Sequence, residues 1–176
     1  MTAGAALLIA ALAGCSTGST GHTSPKATPA RSSAAAPSTH LTFGGTYTWP
    51  DGVKVSVTGA RVFTDFNTAD GESPAPGATD FRVTLRVTNG GKAPVDLGGL
   101  SVIVQGATNG GAAASGTFER GSAPLEGQLA PGVTAAKNDD ESLAKQYGRR
   151  VVVRMQRVSY DPSGAMWPEF TGTVTG

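Results

Sequence analysis

The sequence predicts an all-β fold, an antiparallel β-sandwich of about seven strands, preceded by a non-globular N-terminal segment. Three observations carry this. Apolar and polar residues alternate with period two in several runs after residue 50. Pro, Gly, Asn and Asp turn signals separate those runs. All 11 aromatic and all 13 acidic residues lie after residue 40, so a core can be built only from there. The 136 residues from 41 to 176 suffice for one domain without covalent staples.

The N-terminal elements come first. Ala3 to Ala13 is apolar except for Gly4. As a helix it would span roughly 16 Å, about half of a ~30 Å hydrocarbon layer, so it suits a signal-peptide core and not a mature membrane span. It runs into Leu12-Ala13-Gly14-Cys15, which resembles the bacterial lipobox. The resemblance implies a diacylglyceryl (palmitate-type) anchor on Cys15 and cleavage before it, leaving 1–14 as signal peptide. Two acyl chains hold a protein on a membrane where one holds it only marginally. Met1-Thr2 supplies no Lys or Arg ahead of the apolar run, which favours a translation start upstream of Met1. From Ser16 to Thr39, 21 of 24 residues are Ser, Thr, Gly, Ala or Pro. With no apolar periodicity to offset ordering entropy, residues 15–40 are expected to form a disordered tether, open to O-glycosylation.

The strands follow. Val53, Val55 and Val57 alternate with Lys54, Ser56 and Thr58. Phe81, Val83, Leu85 and Val87 alternate with Arg82, Thr84, Arg86 and Thr88. Leu100, Val102 and Val104 form a third run, and Val151, Val153 and Met155 a fourth. One polar face per strand favours antiparallel pairing over a doubly covered parallel sheet. Turns are expected at Pro50-Asp51-Gly52, Asn89-Gly90-Gly91, Ala107–Gly116, Pro131-Gly132 and Asp161–Gly164. Asn138–Gly148 opens with a cap residue and three acids and closes with Lys and Gly, the terminal chemistry of a short helix.

The stretches YTWPDGVKVSV (47–57), FRVTLRVTNGGKAPVDL (81–97), LAPGVTA (129–135) and FTG (170–172) resemble a domain of secreted and lipid-anchored proteins of high-GC Gram-positive bacteria. Those domains are immunoglobulin-like β-sandwiches, akin to a secreted mycobacterial antigen and to telokin. The resemblance implies an immunoglobulin-like fold over about 43–172 and brings no catalytic residues with it. After Pro131-Gly132 this chain departs from the family pattern, because Val133-Thr134-Ala135 soon meets the acidic stretch.

Composition restricts the chemistry. A net charge of +1 gives no field for nucleic acid, and one cysteine allows no internal disulfide or Cys-cluster metal site. His22 and His40 lie in or beside the tether, so the domain has no His or Cys for nucleophilic catalysis or imidazole metal sites. No catalytic residue, metal ligand or cofactor is predicted. Asn138–Glu141 could present oxygen ligands to Ca²⁺ but lacks the spacing and turn glycine of a calcium loop. Arg82 and Arg86 share one strand face, and Arg150 and Arg154 another. If those strands are neighbours, the four make a basic stripe suited to anionic wall polymer; otherwise they solubilise an outer face. Trp167, with Tyr160, Met166 and Phe170, forms either a recognition patch or a cap on the core.

The expected function is that of a monomeric, lipid-anchored protein on the extracytoplasmic face of the cell membrane. It would present a non-catalytic domain to an envelope protein or wall polymer. A passive structural or antigenic surface protein, and a carboxylate-based envelope enzyme or accessory subunit, are the alternatives.

Overall fold

The structure, a computed structural model, describes residues 38–176. Eleven strands follow in chain order: β1 (His40–Thr42), β2 (Tyr47–Thr48), β3 (Val53–Val62), β4 (Ala78–Asn89), β5 (Val95–Asp96), β6 (Ser101–Gly106), β7 (Ala114–Gly116), β8 (Gln128–Leu129), β9 (Thr134–Ala144), β10 (Arg150–Gln156) and β11 (Glu169–Thr175). The helical residues among those described are three single 3₁₀ turns.

The alternating runs become the two faces of a sandwich. Val53, Val55 and Val57 of β3, Phe81, Val83, Leu85 and Val87 of β4, and Val151, Val153 and Met155 of β10 are all buried. Their polar alternates point outward, as period two requires. A bulge between Val57 and Gly59 on β3 shifts the register by one residue and brings Ala60 onto the core side.

One sheet runs in the order β6-β10-β11-β3-β4-β9-β7, with β1 added on β11 and β2 on β3; β5 and β8 form a separate pair. β11 serves both layers. Its residues Glu169 to Thr173 pair with β10, whereas Val174 and Thr175 pair with Ala60 and Arg61 of β3. Gly172 lies midway along β11, where a Cβ would overlap the Phe43 ring. On the opposite side, Ala112 bridges to Gln105 of β6 and Ser115 pairs with Glu141 of β9. The segment Ala112–Gly116 thus straps the free edges of the two layers together, and the sandwich curls nearly closed.

Antiparallel pairing dominates, but β11 runs parallel to both β1 and β3. The link from β3 to β11 passes through most of the domain, ample length for a parallel return.

The helix expected over 138–148 does not form. Residues 134–144 are strand β9, followed by a 3₁₀ turn at Lys145–Tyr147. β9 is the longest partner of β4, in unbroken register from Ala78↔Ala144 to Thr88↔Thr134. A full ladder against a central strand outweighs the weak preference of terminal charges for a single helical turn.

Candidate functional site

Two glycine turns meet at one end of the sandwich. The pair Val53↔Asn89 sets the Pro50-Asp51-Gly52 turn beside the Asn89–Pro94 loop. Gly90 N donates to Gly52 O at 3.1 Å. Gly52 has φ 90°, and a Cβ there would sit 2.8 Å from Gly90 O; one on Gly91 would sit 2.7 Å from Asp51 O. Only glycines let the two backbones approach this closely. Asn89, fully buried, pins the loop: its Nδ2 donates to Ala93 O and Leu129 O, both at 2.8 Å, and its Oδ1 accepts from Gly91 N at 3.0 Å.

A cation is clamped against these turns. Arg157, just after β10, has an 11% exposed side chain and reaches Asp51 Oδ2 at 2.9 Å. Its guanidinium carbon lies 5.0 Å from the Trp49 ring centroid and 4.3 Å from that of Tyr160. Planar, weakly hydrated guanidinium suits such a position better than ammonium. Trp49 is fixed by donation from its Nε1 to Met166 O at 3.0 Å and by an edge contact with Tyr47.

Below it, the buried Asp161 organises the 161–167 turn. Its carboxylate accepts from the Ser163 hydroxyl at 2.5 Å and from Met166 N at 2.6 Å. Those bonds, the Ser163 hydroxyl foremost, hold its carboxyl below the usual range. The Tyr47 phenol is pushed up by burial first, then by Asp161 and Tyr160.

The result is a cleft of about 720 Å³ lined by the 50–53, 89–96 and 157–160 segments. Lys92 is exposed in it with no ion-pair partner among the described residues. Tyr160, Val158 and Val133 are three of the four large hydrophobic side chains that the described residues expose. All three belong to this end, Val133 by accepting from Asn89 N at 2.9 Å. A rigid polar floor with exposed apolar groups and one free ammonium can bind; it offers no nucleophile–base pair.

The four arginines singled out in the sequence do not come together. β4 and β10 are separated by β3 and β11, so the basic stripe does not form. Arg82 is enclosed: Nε reaches Asp140 Oδ1 at 2.6 Å, the terminal nitrogens donate to Asp140, Phe118 O and Arg120 O, and the group lies 4.7 Å over the Phe63 ring. Arg154 pairs with Glu169, whose carboxylate also meets His40 Nδ1 at 3.3 Å. Arg86 and Arg150 are exposed on different layers. Trp167 is half-buried and donates from Nε1 to Asp161 O at 3.0 Å, while Phe170 is fully buried and Met166 packs against the core. Cys15, the signal segment and the tether up to residue 37 lie outside the described residues.

Nor do Asn138–Glu141 converge as a calcium loop would. On a strand they alternate: Asn138 accepts from Ala123 N and Asp140 holds Arg82, whereas Asp139 and Glu141 face inward opposite Val83 and Phe81. Among the described residues no group of three or more His, Cys, Asp or Glu is placed to hold a metal ion. Arg157, Asp51 and Asn89 were not legible as a site. Only the two glycine turns hinted at them, and nothing in the spacing says that the turns touch.

The chain shares its fold with solved structures. A candidate lipoprotein, ycdA of Bacillus subtilis, superposes with a TM-score of 0.55 at 16% identity, over 73% of this chain and 38% of that one. A conserved hypothetical protein of Bacillus anthracis gives 0.50 at 15% identity, over 73% and 94% of the two chains. An uncharacterized β-sandwich protein of Clostridium difficile gives 0.44 at 9% identity, over 75% and 91%. This chain therefore spans well under half of the length of ycdA. No family model and no curated protein matches the chain. At these identities the likeness is one of fold: a β-sandwich of a kind found in a candidate lipoprotein.

Proposed function

We propose that this protein is lipid-anchored through Cys15 on the extracytoplasmic face of the membrane and presents a non-catalytic, immunoglobulin-like binding domain. Its recognition surface is the loop end built around Arg157, and its partner is a protein of the cell envelope. The single observation that carries this reading is the clamped Arg157 against the exposed Tyr160 ring, in a cleft with a free Lys92 at its rim and with Val158 and Val133 exposed on the adjoining segments. The lipobox-like LAGC supports the anchor, as does a fold shared with a candidate lipoprotein; no helix among the described residues is long and apolar enough to cross a membrane.

Two features favour a protein partner over an anionic polymer. The arginine stripe is dispersed, and Arg82 and Arg154 already have carboxylate partners. Binding is favoured over carboxylate chemistry because the inward-facing acids, Asp139 and Glu141, line neither the cleft at Arg157 nor any of four further clefts on the domain surface.

The test uses the full chain carrying Cys15→Ala, added to isolated Gram-positive envelopes. Binding is expected to saturate, and Tyr160→Ala with Val158→Ser is expected to weaken it at least tenfold. Non-saturating adsorption, or binding indifferent to those substitutions, would support the passive surface protein.

A further inference from the structure

The strap that closes the sandwich lies against a buried acid, Glu141, with the half-buried Asp139 next on the same strand face. Asp139 and Glu141 sit two residues apart on β9, on the inner face, opposite the fully buried Val83 and Phe81. Glu141 is 1% exposed, and its Oε2 has no hydrogen-bond donor; neither has Oδ2 of Asp139. The two side chains follow one another on one face of the strand, and two charges there without a donor would be costly, so the site keeps a proton. The Ser115 hydroxyl of the strap reaches Glu141 Oε1 at 3.4 Å.

No cation pairs with either acid: Lys137, next on the same face of β9, turns its ammonium to Glu126 O at 3.2 Å. From β4 the pair meets Phe81 and Val83, while Arg82 and Asp80 point to the other face, bound to Asp140 and Ser142. From β7 it meets only Ser115. Val151, Val153 and Met155 are the inward side chains of β10. Asp140 on the same strand is turned outward, and Tyr147 packs at Gly111 where the strap begins. The buried residues include no Lys, Arg or His.

The strap itself is weakly held. β7 has three residues, all of them exposed, and between Ala112 and Gly116 only Ala113 is part-buried against the core. Segments with so little apolar burial open at low cost. We propose that Asp139 and Glu141 are a proton-operated latch, which holds the strap Ala112–Gly116 closed while they share a proton and releases it when that proton is lost. Both carboxylates would then be charged in an apolar setting, and opening the strap is what lets water reach them.

Opening hydrates the pair and returns it to ordinary acidity. The open form therefore sheds a proton that the closed form keeps up to about pH 8, where burial, reinforced by Asp139, has pushed Glu141. The opening constant should rise about tenfold per pH unit between pH 5 and pH 8 and level off above.

Native-state amide hydrogen exchange on the full chain, corrected for the intrinsic pH dependence of exchange, reads this at Ala113 and at the β7 amides. The rise is expected in the wild type and should vanish in Glu141→Gln and in Asp139→Asn, each of which supplies an N–H donor in place of the shared proton. A flat profile in the wild type would overturn the latch, and so would an undiminished slope in both variants. Ala113 and the β7 amides should exchange faster than Val55 and Leu85 in the central strands at every pH; equal protection at the two places would also overturn it, because the strap would then open only with the whole fold.

Discussion

Arg157 binds Asp51 across 106 residues of sequence, at 2.9 Å to Oδ2 and 3.2 Å to Oδ1, with its guanidinium between Trp49 and Tyr160. That one contact joins three turns into a surface. Arg157→Ala should cost about 2 kcal/mol, the sum of a half-buried ion pair and a partly desolvated cation–π contact. Arg157→Lys should recover less than half of it, since an ammonium cannot stack and fork together. Urea denaturation of the three proteins measures this; a loss under about 0.5 kcal/mol for the alanine variant would mean that the clamp is ornamental.

Asn89 is the second test of the loop end. Asn89→Ala removes three hydrogen bonds and strands Ala93 O, Leu129 O and Gly91 N, for an expected loss of about 3 kcal/mol. Gly52→Ala, at φ 90° against Gly90 O, should cost about 1–3 kcal/mol. Thermal unfolding checks both, and wild-type midpoints in either variant would contradict the interlocked turns.

Arg82 and Asp140 make a mostly buried pair, with side chains 15% and 4% exposed. Arg82→Ala leaves Asp140 charged without its partner and takes donors from Phe118 O and Arg120 O. About 3 kcal/mol should be lost. Removing both groups, Arg82→Met with Asp140→Asn, should cost less than Arg82→Ala alone. A double-mutant cycle decides.

Global stability should also follow the acid pair. Glu141 is raised from the ordinary carboxyl range to about 8, burial being the main cause. A raised carboxyl binds more protons folded than unfolded, so the contribution of Glu141 to stability is full below about pH 4.5, is lost as pH rises, and is constant above about pH 8. Glu141→Gln removes that slope. The variant should match or slightly trail the wild type at pH 4 and exceed it by roughly 1–3 kcal/mol at pH 8. Denaturant midpoints at the two pH values test the sign; a variant less stable than the wild type at pH 8 contradicts it.

Cys15→Ala should shift the protein from the membrane fraction to the medium, or stall it as precursor, while the domain keeps its unfolding temperature. Fractionation and calorimetry measure the two halves. Unchanged membrane retention would refute the anchor.

The strands that the sequence announced are those with a continuous apolar face: β3, β4, β6 and β10. β9 escaped because its inward positions carry Lys137, Asp139 and Glu141 where alternation demands apolar residues, with Ala135 and Leu143 alone keeping the pattern. Its acids then mimic a helix N-terminus. The strap β7 escaped because Ala and Ser there pair by backbone alone and bury little. Trp49 and Tyr160 were visible as aromatics. Their common contact with Arg157 was not, because it joins the turn before β3 to the loop after β10, a meeting that only the topology creates.

The central claim, recognition at the loop end, is tested most directly by site-specific photo-crosslinking of the membrane-bound protein. A photoreactive residue at position 92, on the cleft rim, should give one saturable protein adduct that Tyr160→Ala reduces at least tenfold. The same residue at position 86, on the outer face of β4, should give none. Equal labelling from the two positions, or no adduct from position 92, would contradict the account.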